Sequence, residues 1–157
     1  MREILFRGKQ VTDNVWFEGG INTGTNGKPY IVRRSKYRFD TNDWDASDIY
    51  VSDPHYTLAC VEIVPETLGQ FTGLFDKNDK KIFEGDIVKT KYGRLCIVVW
   101  FSNQVHCGWD LEAIRSFDNC FRTRYPDSVD LYKKDNLEVV GNIHDNPELL
   151  KGHIPHF

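Results

Sequence analysis

Ile82-Phe83-Glu84-Gly85-Asp86-Ile87-Val88-Lys89, then Tyr92-Gly93, then Leu95-Cys96-Ile97-Val98-Val99-Trp100-Phe101, is the stretch that decides the fold class of this chain. Ile82, Ile87 and Val88 flank Gly85-Asp86, a pair suited to a tight turn, and Tyr92-Gly93 is short enough to be a hairpin connection. The apolar run that includes Cys96 to Phe101 is far short of the ~18 residues that a membrane-spanning helix needs. A Gly-Asp turn before an apolar strand, followed by a hairpin into a second long strand, is how many small SH3-like barrels begin. That likeness concerns fold and carries no function.

The same grammar continues outward in both directions. Residues 3–11 read as a strand, Thr12-Asp13-Asn14 as a turn and Val15-Trp16-Phe17-Glu18 as the returning strand, with Gly19-Gly20 ending the hairpin. Asn22 to Pro29 is rich in residues that tolerate positive φ and reads as a loop. Residues 30–34 and 56–64 are strand-like, the second stopping at Pro65. Residues 40–53 hold five aspartates around Trp44 without a clear period and read as a mobile flap. Residues 65–74 read as a turn-rich block. Apolar positions 111, 114 and 117 favour a short helix over a strand in residues 109–117. Residues 137–143 form a last strand, and Asn146-Pro147-Glu148-Leu149-Leu150 reads as an N-cap, a first-turn proline and one helical turn. The expectation is a mainly β protein (a β-rich α+β chain) of hairpins and a small SH3-like barrel-type sheet, with one or two short helices.

The chain has 157 residues, enough for one compact domain that buries roughly 70% of its unfolded surface. It carries 20 Lys+Arg against 23 Asp+Glu, a formal net charge of -3, and its pI is about 5.9. Mixed, nearly balanced charge with 40% apolar and 13% aromatic residues excludes a disordered tail or a low-complexity segment. It also excludes a surface that is basic all over, the usual footprint of a nucleic-acid-binding domain. Met1-Arg2-Glu3-Ile4-Leu5-Phe6-Arg7 is charged from the start and has no signal-peptide apolar region, so the expectation is a cytoplasmic protein with no membrane partner. Cys60, Cys96 and Cys120 sit among apolar or aromatic neighbours, and with Cys107 they form no CxxC pair, so they read as free, mostly buried thiols.

Chemistry-bearing patterns are few. Asp76-Lys77-Asn78-Asp79 opens like a calcium loop, but the glycine and glutamate such a loop wants fall on Lys81 and Ile87, so a polar turn is the better reading. His106, Cys107, His144, Asp145, His153 and His156 match no zinc spacing, and adjacent strand residues face opposite sides. The sequence lacks GxSxG, GxxxxGK[ST], GxGxxG and HExxH, so no enzyme activity and no cofactor are expected. The sharpest local feature is the basic run of Lys28, Arg33, Arg34, Lys36 and Arg38, interleaved with Tyr30, Tyr37 and Phe39. In an extended strand Arg34, Lys36 and Arg38 line one face, with Arg33, Tyr37 and Phe39 on the other. Arg33, Arg34, Lys36, Tyr37 and Arg38 are therefore candidate contacts to single-stranded nucleic acid, cations for phosphates and an aromatic for bases. The competing reading pairs these cations with Asp40, Asp43, Asp45 and Asp48 just downstream.

Three segments resemble the YopX family of phages and prophages. They are Arg2-Glu3-Ile4-Leu5-Phe6-Arg7-Gly8, then residues 65–78 with Ile82-Phe83-Glu84-Gly85-Asp86-Ile87-Val88, and residues 139–150, which begin Val139-Val140-Gly141-Asn142. The resemblance runs almost end to end and implies a single YopX-like domain over residues 1–157. Within it lie an N-terminal hairpin region (1–64), a turn-rich, barrel-like part (65–150) and a frayed tail (151–157). It implies a small β-rich accessory protein of phage or prophage that self-assembles as a homo-oligomer and has phage or host proteins as partners. It brings no catalytic or binding residues with it. Gly69, Gln70, Thr72, Gly73, Gly85, Asp86, Gly141, Asn142 and Pro147 read as an architectural signature of turns and caps. One position departs from the pattern: where relatives read Asp-Lys-Asn-Gly-Lys, this chain has Asp79 in place of the glycine. A left-handed residue there is strained without glycine, though Asp tolerates that region better than most.

Overall fold

The computed structural model describes residues 4–35, 57–102, 107–114 and 134–151. The chain divides into two compact units, Met1–Gln70 and Phe71–Phe157, and the division falls inside one strand. Both are antiparallel β throughout, joined to a few turns of 3-10 helix, so the mainly β expectation is what the structure has.

In the first unit, β1 (Phe6–Lys9), β2 (Trp16–Thr23), β3 (Pro29–Ser35) and β4 (Thr57–Glu62) lie side by side in the order β4-β3-β2-β1. The opening residues of β5 (Gly69–Phe75) add to the free side of β1, with Arg7 opposite Gly69 and Phe6 opposite Gln70. The β1–β2 turn forms because Asp13 Oδ1 accepts from the Val15 N–H at 3.1 Å, while Asn14 takes a left-handed φ of 58°. Asp and Asn both suit such positions. Gly19-Gly20 does not end the hairpin: β2 runs on to Thr23, and Gly20 to Thr23 pair with β3. The reason is packing. A Cβ at Gly19 would run into the backbone carbonyl oxygen of Val32, so the glycine lets two strands approach closely. The connection to β3 is accordingly shorter than the loop expected over residues 22–29. Beyond β4, Pro65–Thr67 forms a 3-10 turn, η1. Thr67 Oγ1 anchors it by accepting from Lys9 N at 2.8 Å and donating to Val64 O at 2.7 Å.

In the second unit the stretch from Ile82 to Phe101 falls in β6 (Lys81–Phe83), β7 (Asp86–Thr90) and β8 (Leu95–Ser102). β9 (Cys107–Ala113) pairs with β8, and β10 (Leu137–Asn142) with β7, giving the order β10-β7-β8-β9. Gly85 has φ +78°, a conformation glycine adopts without strain, and this turns the chain from β6 into β7. Residues of this sheet and Ile82 of β6 make a single buried cluster of Ile82, Val88, Cys96, Val98, Trp109, Leu111, Leu137 and Val139, with Leu74 packed against it. Register explains the clustering, since Val88 faces Cys96, Val98 faces Leu111 and Val139 faces Val88.

Three local expectations are corrected. Residues 65–74 are not turns throughout; after η1 they form β5, whose Phe71 and Thr72 are buried. The helix favoured for residues 109–117 is a strand over its described part. Seven cross-strand pairs with β8, from Cys96–Ala113 to Ser102–Cys107, outweigh a helical spacing that rested on three apolar positions. The sheet is also open rather than barrel-like: among the described residues its outer strands β9 and β10 pair with β8 and β7 only, whereas a barrel requires the first and last strands to join. The last helical turn exists as a 3-10 turn, η3 (Pro147–Leu150). No helix among the described residues is long and apolar enough to cross a membrane.

Candidate functional site

The signature residues are held by their own backbone. Asp76 is completely buried at the start of the turn after β5. Its Oδ1 accepts from Asn78 N at 2.8 Å and Lys80 N at 2.9 Å, and its Oδ2 accepts from Val139 N at 2.9 Å. Burial pushes the Asp76 carboxyl up, yet the three N–H donors from Val139, Lys80 and Asn78, together with the Lys80 charge, hold it below the ordinary carboxylate range. This side chain therefore closes the 76–80 turn and ties it to β10. Asp79, the departure from the family pattern, does adopt a left-handed φ of 62°.

Thr72 and Asp86 behave alike. Buried Thr72 donates from Oγ1 to Ile82 O at 2.8 Å and accepts from Leu74 N at 3.1 Å, while Gly73 beside it takes φ +85°. Asp86, 1% exposed, accepts from Phe83 N at 2.8 Å and fastens the β6–β7 turn. At the other end of the signature, Asn142 Oδ1 accepts from His144 N and Asp145 N, both at 2.9 Å, and Asn142 Nδ2 donates to Asp145 Oδ2 at 2.8 Å. Asn146 does not cap η3 through its side chain; its Oδ1 accepts from Asn142 N at 3.2 Å instead. It lies so close to Gly141 that a Cβ there would overlap it, and Pro147 opens the turn at its first position. Gly69 and Gln70 are the β5 residues that pair with β1.

The basic run is only partly within the described residues. Arg33 is exposed on β3, its guanidinium 5.0 Å from the Phe17 ring centroid, and Arg34 pairs through its backbone with Leu58. Lys36, Tyr37 and Arg38, with the acids proposed to neutralise them, lie outside the described residues, as does the flap expected over 40–53. Lys28 at the head of the run forms an ion pair with Glu62 at 2.6 Å, and that hydrogen bond, reinforced by the carboxylate charge, raises the pKa of its ammonium. On the neighbouring strands Arg7 and Lys9 both approach Trp16, at 4.8 and 5.5 Å from its centroid. Cys60 and Cys96 are buried free thiols and Cys107 is an exposed one; Cys120, His106, His153 and His156 lie outside the described residues. Among the described residues no group of three His, Cys, Asp or Glu could hold a metal ion.

A feature that sequence reading missed lies in the second unit. Lys77, the 89–93 segment and residues 135–138 line an open groove of about 540 Å³. Lys89 is near the end of β7, Lys91 and Tyr92 (66% exposed) are on the following turn, and Lys77 pairs with Glu138 at 2.8 Å. The available signal was the alternation Lys89-Thr90-Lys91, exposed lysines around a buried threonine. The opposing wall is over 40 residues away in sequence, so nothing local announced a groove.

Residues 6–151 match the family described as "YopX protein", and the chain belongs to that family. Membership at this coverage fits a phage-associated protein. A solved structure with similarity over almost all of both chains is the "Crystal structure of protein EF1440 from Enterococcus faecalis", at 19% identity, with 96% of this chain and 99% of that chain covered and a TM-score of 0.44. A likeness that distant carries no argument here. No curated protein matches the chain.

Proposed function

We propose that this protein is a phage or prophage accessory protein that works in the cytoplasm of its bacterial host through protein contacts, self-associates, and has no catalytic activity of its own. The observation that carries this reading is Trp100. It stands at the end of β8, 47% exposed, its ring edge-on to buried Trp109 with centroids 4.9 Å apart. It therefore continues the hydrophobic cluster out to the surface, next to the outer strand β9. Tryptophans in such positions are the residues most enriched among interface anchors. The signature polar groups point the same way: Thr72, Asp86 and Asn142, like Asp76 beside them, are engaged with backbone groups, which supports an architectural role.

Gel filtration with light scattering tests the reading. The expected result at tens of micromolar is a mass that is a multiple of the 18.3 kDa chain, falling toward one chain in Trp100→Ser. A clean monomer of the unaltered protein at that concentration overturns self-association.

A further inference from the structure

We propose that Asp110 and Asp76 hold the four-stranded sheet of the second unit closed to strand addition, and that removing the Asp110 carboxylate turns β9 into a docking edge for a second copy of this chain. The device is separate from association through Trp100 and operates whether or not that association occurs. An open antiparallel sheet ends in backbone groups that template a further strand unless something blocks them. Among the described residues β9 and β10 are the two outer strands.

The register shows which groups face outward. Ile114 N donates to Leu95 O at 2.9 Å, and the β8–β9 pairing runs without a shift from Cys96–Ala113 to Ser102–Cys107. In an antiparallel ladder, residues bonded to the neighbour alternate with residues whose N–H and C=O point away from it. Glu112, Asp110 and Gly108 therefore bond to β8, and the N–H groups of Ala113, Leu111 and Trp109 point to the open side. In the middle of that side Leu111 N donates to Asp110 Oδ1 at 2.8 Å. An incoming strand has to break this charge-assisted bond, and it meets a carboxylate where its own carbonyl oxygen must go.

Symmetry gives Asp110 a second effect. It is the midpoint of β9 (Cys107–Ala113), so pairing the whole strand with a second copy about a two-fold axis sets Asp110 opposite its own counterpart. Residue 110 bonds inward, so this pair falls at a non-hydrogen-bonded position, where α-carbons are about 4.5 Å apart and side chains are closest. Like charges facing each other there oppose the pairing. Asp110 is 9% exposed, so salt screens that repulsion little.

The other edge is closed more heavily. On β10, Val139 N donates to Asp76 Oδ2 at 2.9 Å and Leu137 O accepts from Lys77 N at 3.0 Å, so the 76–80 turn covers both groups. The register also shifts between Val139 and Gly141, a bulge that bends the strand away from a flat edge. β9 has neither bulge nor covering turn among the described residues, and one side chain closes it. A second β9 is the occupant that fits once the carboxylate is gone. In the two-fold register Trp109 of each copy bonds Leu111 of the other through outward backbone groups, and no charge is left opposite its like.

The test uses the full-length protein in the Trp100→Ser background, whose mass by gel filtration with light scattering at tens of micromolar sets the baseline. Adding Asp110→Val is expected to double that mass and to slow amide exchange at Trp109, Leu111 and Ala113 while β7 and β8 keep their protection. Asp110→Ala gives the same reading with a smaller side chain. A labelled peptide of residues 108–113 carrying Asp110→Val is expected to bind the Asp110→Val protein about tenfold or more tighter than the unaltered protein. Three results overturn the proposal. They are an unchanged mass in a variant whose circular dichroism shows it folded, a larger mass without new protection at those three amides, and equally tight binding of the peptide by the unaltered protein. The last of these decides the matter even where a variant fails to fold.

Discussion

The two units solve the same problem, an antiparallel sheet that must cover one face, by different means. In the second unit eight residues from five strands, led by Val88, Val98, Leu111 and Leu137, pack into one cluster sealed from water, and buried Asp76 and Asp86 accept from backbone N–H groups. In the first, the buried apolar residues among those described are Ile31, Cys60 and Ile63, and the large aromatics Trp16 and Phe17 stay half-buried beneath Arg7, Lys9 and Arg33. Close backbone approach does part of the work there: Gly8 lets Ile63 settle onto β1, and Gly19 admits the Val32 carbonyl. A unit short of apolar cover can still hold a sheet by letting strands pack without side chains between them and by laying cations over its rings, each such contact contributing about 0.5–1 kcal/mol where exposed. The contrast is one of where the stability resides.

The sharpest way to break that contrast is Leu137→Ala. Leu137 is 1% exposed within the cluster, and the substitution is expected to cost about 3–4 kcal/mol by urea unfolding, through lost burial and the cavity left behind. A loss below about 1 kcal/mol would mean that the cluster relaxes freely and does not carry the second unit.

Asp76→Ala comes next, at about 3 kcal/mol, because it leaves three N–H donors without their acceptor, that of Val139 among them. The same residue gives an acid-side signature. Its carboxyl titrates below the ordinary value when folded, so its contribution is fully present above about pH 4 and is lost as pH falls through the folded pKa. Asp76→Asn should flatten that decline in a stability-versus-pH series, and an unchanged acid limb would assign it to other carboxylates.

Gly19→Ala probes the first unit's device. The new methyl meets backbone rather than a flexible side chain, and the expected cost is about 2 kcal/mol, seen as faster amide exchange in β2 and β3. Protection that stays intact in both strands would show that close approach is not what holds this sheet. The smallest effect expected is a gain: Asp79→Gly releases a left-handed φ, and after the entropy of an added glycine the net is about 0.5 kcal/mol of stabilisation in the second unit. A loss on this substitution would mean that Asp79 contributes more through its side chain than its backbone strain removes.

Much of this organisation is legible in local sequence. The strands at 82–88 and 95–101, the Gly85-Asp86 turn, the stop at Pro65 and the positive φ at position 79 each follow from residue types within a few positions. Where reading failed, a distant partner had overruled local signals. Gly19-Gly20 looks like a terminator until the Val32 carbonyl is placed against it, and the helical spacing at 111 and 114 gives way to β8. The barrel-type expectation failed for the same reason, because pairing between the first and last strands has no local signature. The groove is the clearest case: Lys89, Lys91 and Tyr92 are ordinary surface residues until residues 135–138 are set across from them.

The sequence by itself determined the class, mainly β, and the family, because alternation, turn chemistry and signature segments are properties of neighbouring residues. Which strands pair, and which glycines are contacts rather than turns, came only with the folded backbone. Those outcomes depend on groups far apart along the chain. The physical reason is that hydrogen-bond register and ion pairing are settled by proximity in space, and proximity follows only once the backbone has folded.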